Sequence, residues 1–477
     1  MNVPPVGQSR GARAPGRARR MLLLVAATVG GVVLLHAPRH SVASVSIVLA
    51  TALVVGLLVV GEHRRPILGI APVAVAIAIT VGASVAAPPR TSNDVWSYTM
   101  YGRMITEHGA SPYEHTPADF RHDPFFERVS PRWAHRASVY GPVFVGMAAL
   151  GAWIAGPSPL AARLYFQLFA ALALAAVLLA VWRTTRSVAA VAFLGLNPVL
   201  AVVVVNGGHN DMLIGGLLLA ATLLAVRRHP ASAGALVGLA ALVKLTAGLA
   251  LIGLLLWAWR HELRRFAGTL LAAAAAVVVA GYLPVVISAS RVLTGADKTV
   301  TNASPWNGVI DRLLRHDAWR NVAHPLAPNG TLTGFFYVGI LTVLALAVGF
   351  GWRASRRARP DEAVGVSLAA YPVAAEYAYP WYAAWGLPVF ATDGLNGLGA
   401  VVWIQSVVML AALKLPLAVT AGPVAAALRV VLTYVAPVSV LVAFVVVALR
   451  TTRATTVAPK TRRVAVSSEL GGGALSG

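Results

Sequence analysis

Apolar runs of membrane-spanning length recur along almost the whole chain, from Met21 to Arg450. Crossing the hydrocarbon core takes roughly 20 mostly apolar residues in a helix. In that core only structures that satisfy their own backbone groups survive. The runs therefore predict an all-α polytopic membrane protein, a bundle of transmembrane helices with about 14 spans by hydropathy reading. One integral domain over 21–450 stands between a basic tail, 1–20, and a second tail, 451–477, whose Gly-Gly-Gly and polar composition read as disordered. Hydrophobic residues make up 58% and charged ones 12% of the 477 residues, against about 45–50% and about 25% in soluble domains. No long polar stretch is left for a separate soluble domain. Cysteine is absent, which excludes disulfides, thiol catalysis and thiolate metal sites.

The net charge of +22 would suit a nucleic-acid binder, but its distribution argues against one. The basic residues gather at helix ends and in the tails, as lipid headgroups and the positive-inside rule require. Arg10, Arg13, Arg17, Arg19 and Arg20 precede the first span without an acid, and Arg450, Arg453, Lys460, Arg462 and Arg463 follow the last. Both termini are thus expected in the cytoplasm. Residues 1–35 have the outline of a signal peptide, yet no small-x-small cleavage site follows and a second span begins at once. The expectation is an uncleaved first span.

The same rule sets the topology. Spans at 21–36, 42–60 and 68–87, with Glu62-His63-Arg64-Arg65 inside, deliver Pro88 to the outside. Residues 88–137 hold six of the seventeen acids and four of the twelve histidines, and prolines at 112, 117, 124 and 131 forbid one long helix. This opens an outer loop predicted to run over 88–158. If the apolar runs 138–156, 160–182, 188–205 and 211–226 all crossed, Arg183-Thr184-Thr185-Arg186 and Arg227-Arg228 would both lie outside. A helix over 138–156 docked in the outer interface returns both clusters to the cytoplasm. Residues 232–259 are basic at both ends and predict two short helices with a bend near Lys244. A span at 265–288 leads to a second outer loop, 289–331, with Trp306 and Trp319. Spans at 333–352 and 363–376 flank a cytoplasmic Arg353–Arg359 stretch, and Tyr377–Tyr382 turns outside. Short spans at 383–392, 398–414 and 430–449 complete the chain.

The polar residues that could do chemistry cluster on the outer side. Asp94, in Asn93-Asp94-Val95-Trp96-Ser97-Tyr98, is an acid at the mouth of a membrane cavity. Such a carboxylate is a candidate general base for an attacking hydroxyl; it is equally a residue favoured to cap the helix that follows. Tyr98 could stack on a sugar face or belong to the interfacial aromatic belt. Arg103 on the outer side wants an anionic partner, either a phosphate or Glu107 four residues on. Asn206-Gly207-Gly208-His209-Asn210-Asp211 places three hydrogen-bonding side chains, His209, Asn210 and Asp211, at the edge of an apolar span, where polar groups are costly and often functional. Asn210 and Asp211 also suit helix capping. Lys244 stands alone in an apolar run; it could snorkel to the interface or neutralise a phosphate leaving group. Glu376 precedes Tyr379-Pro380-Trp381-Tyr382, whose rings serve as interfacial anchors or as a ligand platform.

Taken in order, these clusters resemble the GT-C superfamily of membrane glycosyltransferases, and within it the actinobacterial polyprenyl-phosphomannose-dependent alpha-1,6-mannosyltransferases. The matching text is Asn93 to Arg103, Ser111-Pro112-Tyr113, Tyr140-Gly141-Pro142, Leu196-Asn197-Pro198, Gly208 to Asp211, Leu242 to Thr246 and Tyr379 to Tyr382. The likeness covers about residues 65–395. It implies that Asp94 is the essential acid of the first outer loop and Asp211 the second acidic motif. Tyr98, Arg103, His209, Asn210, Asp211, Lys244, Tyr379, Trp381 and Tyr382 are then expected to bind substrate. Some relatives carry a lysine beside the proline of the second interfacial helix; Tyr140-Gly141-Pro142 has none, so Lys244 or Arg103 is left to hold the phosphate. Metal-dependent relatives carry paired acids in these motifs, whereas Asp94 and Asp211 stand alone, so no metal and no other cofactor is expected. The resemblance implies an inverting transfer of mannose from a polyprenyl-phosphate-mannose donor to a mannan or glycolipid acceptor. The partners are then that donor, that acceptor and membrane lipids, with no nucleic acid. Arabinose in place of mannose stays open at this stage, as does a transporter, although internal repeats typical of transporters are missing.

Overall fold

A computed structural model describes residues 13–38, 40–90, 92–285, 301, 303–308, 328–415 and 422–451. The described residues are helical, with no strand among them. Helices α1 (Arg13–His36), α2 (Val42–Arg64) and α3 (Ile70–Ala86) lead to α4 (Asp94–Thr106), a four-residue turn α5 (Pro131–Ala134) and α6 (Pro142–Ala155). Then come α7 (Pro159–Thr185), α8 (Val188–Gly195), α9 (Asp211–Val226), α10 (Pro230–Ala241), α11 (Leu249–Arg260) and α12 (Arg264–Tyr282). The remainder holds α13 (Pro328–Ala354), α14 (Asp361–Ala374), α15 (Leu387–Thr392), α16 (Gly397–Leu413), α17 (Pro423–Val430) and α18 (Ala436–Thr451).

By length and composition, six helices reach across a bilayer: Pro15–His36, Val42–Arg64, Pro159–Thr185, Arg264–Val285, Tyr337–Ala354 and Pro423–Arg450. Shorter apolar helices, among them α3, α9, α10 and α16, pack between them. Large side chains such as Leu22, Leu53, Leu172 and Leu341 are exposed on the outer surface, which suits hydrocarbon and not water. Inside, small residues let backbones meet: a methyl added at Gly102 would lie 2.1 Å from the Ala148 carbonyl oxygen, and one at Gly215 2.0 Å from that of Ala384.

The expected break in 232–259 is present. α10 stops at Ala241, Lys244 is extended at φ −151°, and a 3-10 turn, Leu245–Gly248, starts the next helix. The segment expected to dock, 138–156, forms the 14-residue α6. At about 1.5 Å per residue it is shorter than the roughly 30 Å hydrocarbon core. The run 188–205 is interrupted where one helix was expected. Asn197 accepts from the Val199 and Leu200 amides and Pro198 opens a π-helical stretch, Pro198–Val204. The segment 383–392 is a 3-10 turn, Pro380–Trp385, followed by the six-residue α15.

One end of the bundle is basic and ion-paired. Arg20 meets buried Glu62 at 3.4 Å, and Glu62 also accepts from the Ile67 and Leu68 amides. Arg359 grips Asp361 at 2.9 and 3.0 Å, Thr392 donates to Asp361 at 3.3 Å, and Arg357 reaches Asp393 at 3.9 Å. The chain from Pro380 to Thr392 therefore joins this end to the cavity described next. Trp306, in the stretch between α12 and α13, donates through Nε1 to the Ala374 carbonyl at 2.7 Å. Trp319, most of 289–331, Arg10, and the second tail from 452 lie outside the described residues.

Candidate functional site

A cavity of about 890 Å³ opens at the other end, where the α3–α4, α9 and α14 turns converge. One part is polar and aromatic, with Asp94, Lys244, Glu376, Tyr379, Trp381 and Tyr382 in its wall. The other is apolar, built by Leu249 and Ile252 of α11 and Ile340, Val343 and Leu344 of α13.

Asn206 holds the polar part together. Its amide nitrogen donates to the carbonyls of Ser84, Ala87 and Pro88 at 3.0–3.2 Å, and its amide oxygen accepts from the Arg90 amide at 2.8 Å. Gln167 on α7 donates to the Asn206 and Ala87 carbonyls at 2.9 and 3.0 Å. The exit of α3 is thereby tied to the Asn206–Asp211 turn, which brings Asp94 to His209. Gly208 makes that turn at φ +60°, and a methyl there would meet Val95 and Phe166 at 2.7–2.8 Å. Backbone of this hand and this closeness needs glycine.

Asp94 is the first residue of α4. Asn93 takes the N-cap position without a side-chain capping bond. The Asp94 carboxylate keeps 19% exposure and faces the His209 Nδ1 at 3.5 Å, beyond a normal hydrogen bond. His209 is fully buried with neither ring nitrogen bonded. Burial holds His209 below its ordinary pKa, against the opposing pull of the Asp94 and Asp211 charges. Its ring stacks on Trp381 at 4.1 Å, and Trp381 stacks on Tyr379 at 4.6 Å, 3° from parallel. Arg132 donates to the Tyr379 hydroxyl at 2.9 Å, which ties α5 to the aromatic turn.

Asp211 and Lys244 form the second half. Asp211 Oδ1 accepts from Lys244 Nζ at 2.9 Å and from Trp385 Nε1 at 2.8 Å, while Oδ2 has no partner. Asn210, the N-cap of α9, makes no capping bond, and both polar atoms of its amide are buried and unbonded. Lys244 lies over the rings of Tyr382, Trp385 and Tyr140 at 4.5, 5.5 and 5.7 Å. It is delivered there by a backbone junction. The Gly141 amide donates to the Val243 carbonyl at 3.0 Å and the Val143 amide to that of Leu242 at 3.1 Å. The start of α6 lacks a lysine of its own, and the junction sets Lys244 beside it. Tyr113 of Ser111-Pro112-Tyr113 steadies the same place, its hydroxyl donating to the Tyr140 carbonyl at 3.0 Å.

Asp94, Lys244, Tyr379, Trp381 and Tyr382 thus line one cavity, and His209, Asn210 and Asp211 stand directly behind them. Tyr98 is buried under the wall, edge-on to Tyr140 and Phe144 and 3.3 Å from the Tyr140 hydroxyl. Arg103 is turned away from the cavity. Its Nε bonds both Asp123 carboxylate oxygens at 2.9–3.0 Å, Nη1 donates to the Gly156 carbonyl at 3.2 Å, and Glu107 is a weaker neighbour at 3.9 Å. Its anionic partner is therefore a protein carboxylate. Arg90, Arg132 and Lys414 also line the cavity and were not singled out in the sequence. With Lys244 they set four cations against the acids Asp94 and Glu376, a balance that favours an anionic ligand. No spacing rule links them; they meet only because turns distant in sequence fold together at one end of the bundle.

A helical bundle with membrane-length apolar helices and a cavity that is polar at one end and apolar at the other defines a class: an integral membrane protein with an amphiphilic cavity. Residues 84–261 match the family described as Alpha-(1->6)-mannopyranosyltransferase, N-terminal domain. The chain is 29% identical to Alpha-(1->6)-mannopyranosyltransferase A of Mycobacterium tuberculosis over 325 residues, 64% of this chain and 61% of the relative. It is 27% identical to the protein of the same name from Corynebacterium glutamicum over 188 residues, 38% of each. Over these residues the chain is similar to alpha-(1->6)-mannopyranosyltransferases. The match spans about three-fifths of the first relative's length. No solved structure matches.

Proposed function

We propose that the protein transfers mannose from a polyprenyl-phosphate-mannose donor to a mannan or glycolipid acceptor at the outer face of the membrane, extending an alpha-1,6-mannan. The observation that carries this reading is the single cavity that joins a cationic, carboxylate-bearing end to an apolar wall. A lipid-linked sugar phosphate needs both. Its isoprenoid chain rests on α11 and α13, and its phosphate lies by Lys244.

In this reading Asp94 takes the proton of the acceptor hydroxyl as that oxygen attacks C1 of mannose. The bond between C1 and the phosphate oxygen breaks, and the electron pair leaves with the lipid phosphate. Attack and departure on opposite sides of C1 invert its configuration. A phosphate leaves without a protonating acid, so one carboxylate is enough. Lys244 offsets the charge that grows on the leaving oxygen; Asp211 and Trp385 hold its ammonium in place. The outer-face assignment is supported by charge. The cavity end lies opposite the ion-paired end that carries Arg227, Arg228, Arg260 and Arg353, and such clusters stay in the cytoplasm.

The test is transfer by the purified protein in lipid nanodiscs, with radiolabelled polyprenyl-phosphomannose and a short alpha-1,6-mannooligosaccharide. Labelled product, absent with soluble nucleotide-mannose, is the expected result. Product from the arabinose-bearing lipid alone would replace mannose by arabinose, and no product from either sinks the reading.

A further inference from the structure

Glu376 lines the cavity yet has no part in the reaction just derived. It lies in the turn beyond the end of α14 at Ala374, and its carbonyl accepts from the Thr301 amide and hydroxyl at 3.0 and 3.1 Å. The residue is 6% exposed. Its carboxyl rests on α13 at Gly339, where a methyl would meet the carboxyl carbon at 2.7 Å. Among the described residues, buried Oε1 has no hydrogen-bond partner. A buried oxygen left unbonded is costly, and such an atom at the wall of a cavity is ready for a ligand. A carboxylate oxygen held in this way accepts a hydrogen bond from a ligand hydroxyl.

The surroundings specify the ligand's chemistry. Tyr377, Tyr379 and Trp381 follow Glu376 along the same wall. Tyr377 stands edge-on to Tyr379 at 5.2 Å, Tyr379 stacks on Trp381, and buried His209 behind Trp381 faces Asp94, which lines the same cavity. Aromatic rings beside a carboxyl suit a pyranose: apolar C–H faces lie on rings and hydroxyls bond the carboxyl. An in-line displacement keeps acceptor and phosphate on opposite sides of C1. Lys244 packs on Tyr382 and Trp385, outside this row of rings. The row therefore gives the acceptor a track that ends at Asp94.

We propose that Glu376, with Tyr377 and Tyr379, forms the subsite for the acceptor saccharide, and that Glu376 Oε1 reads one of its ring hydroxyls. This inference rests on the cavity being a glycosyl-transfer site. The test uses the full chain in nanodiscs as wild type, Glu376→Gln and Glu376→Ala, with donor and mannooligosaccharide concentrations varied separately. Losing a hydrogen bond to a buried group raises the acceptor KM of Glu376→Ala about 10- to 100-fold, while kcat and donor KM stay within about twofold. Glu376→Gln, which still bonds a hydroxyl, shows a smaller rise and serves alone if the alanine variant fails to fold. An unchanged acceptor KM in a variant with wild-type melting temperature overturns the subsite, as do equal changes in both KM values. Should the wild type transfer nothing, the functional reading falls, and tryptophan quenching by the same oligosaccharide decides the subsite by itself. Binding by wild type that Glu376→Ala abolishes upholds it. No binding, or equal binding, overturns it.

Discussion

Asp94 and Asp211 each open a helix, but their surroundings separate them. Asp211 is fully buried and tied to Lys244 and Trp385, whereas Asp94 keeps a carboxylate at the cavity surface. As a positioned base, Asp94 is expected to contribute on the order of 100- to 10,000-fold in rate. Asp94→Asn should keep the fold, since no side-chain cap depends on it, and lose turnover by roughly that factor. Near-normal turnover in that variant, with melting temperature as the control, would remove Asp94 from the mechanism. The Asp211–Lys244 pair makes the opposite prediction. Lys244→Ala strands a buried carboxylate, which should cost about 3–5 kcal/mol of stability as well as transfer. Lys244→Met combined with Asp211→Asn should recover the melting temperature but not transfer. If the double variant transfers mannose normally, Lys244 does not serve the phosphate. Asp211 and Lys244 were readable in the sequence because each is a lone charge at or in an apolar run, and Asp94 because it opens the polar stretch just past a span. Arg103 was not, because its partner Asp123 lies twenty residues away, in no helical register with it.

The junction of α6 with the bend before Lys244 is the element-scale counterpart. A methyl on Gly141 would lie 2.1 Å from the Leu242 carbonyl oxygen. That contact is backbone on backbone, so Gly141→Ala must push α6 and the Lys244 bend apart. Transfer should fall at least tenfold, as the phosphate cation moves. Gly146, on the same helix, has open space around an added methyl, so Gly146→Ala should be silent or stabilise by up to about 1 kcal/mol. Equal rates in the two variants would show that the junction does not position Lys244. The bend and the short helix were both legible: prolines and glycines at the ends of an apolar run mark where helices start and stop. The Asn197 interruption and the short segment 380–392 were not. Neither a π-helical stretch nor a 3-10 turn alters the hydropathy of the run that contains it, and packing against α9 decides the second.

At the scale of the whole molecule, the reading demands that its two ends face different compartments. The cavity end carries exposed Glu114 between α4 and α5, and the ion-paired end carries exposed Ala358 between α13 and α14. The chain has no cysteine, so a single introduced thiol reports one site. Ser355 is buried and would stay unlabelled on either side; Ala358 is the informative position. Glu114→Cys should react with a membrane-impermeant maleimide in intact cells, and Ala358→Cys only after permeabilisation. A reporter fused after Arg186 should read cytoplasmic, because α6 is too short to cross and α7 brings the chain back. The three sites fail in different ways. External labelling at Ala358 with none at Glu114 inverts the bundle, places Asp94 inside and rules out an outer-face acceptor. An external reading after Arg186 with the two thiols as expected would mean that the stretch through α6 crosses. His209 would then lie across the membrane from Asp94. The 3.5 Å between them makes that outcome incompatible with the cavity itself, so the fusion experiment tests the fold as well as the topology.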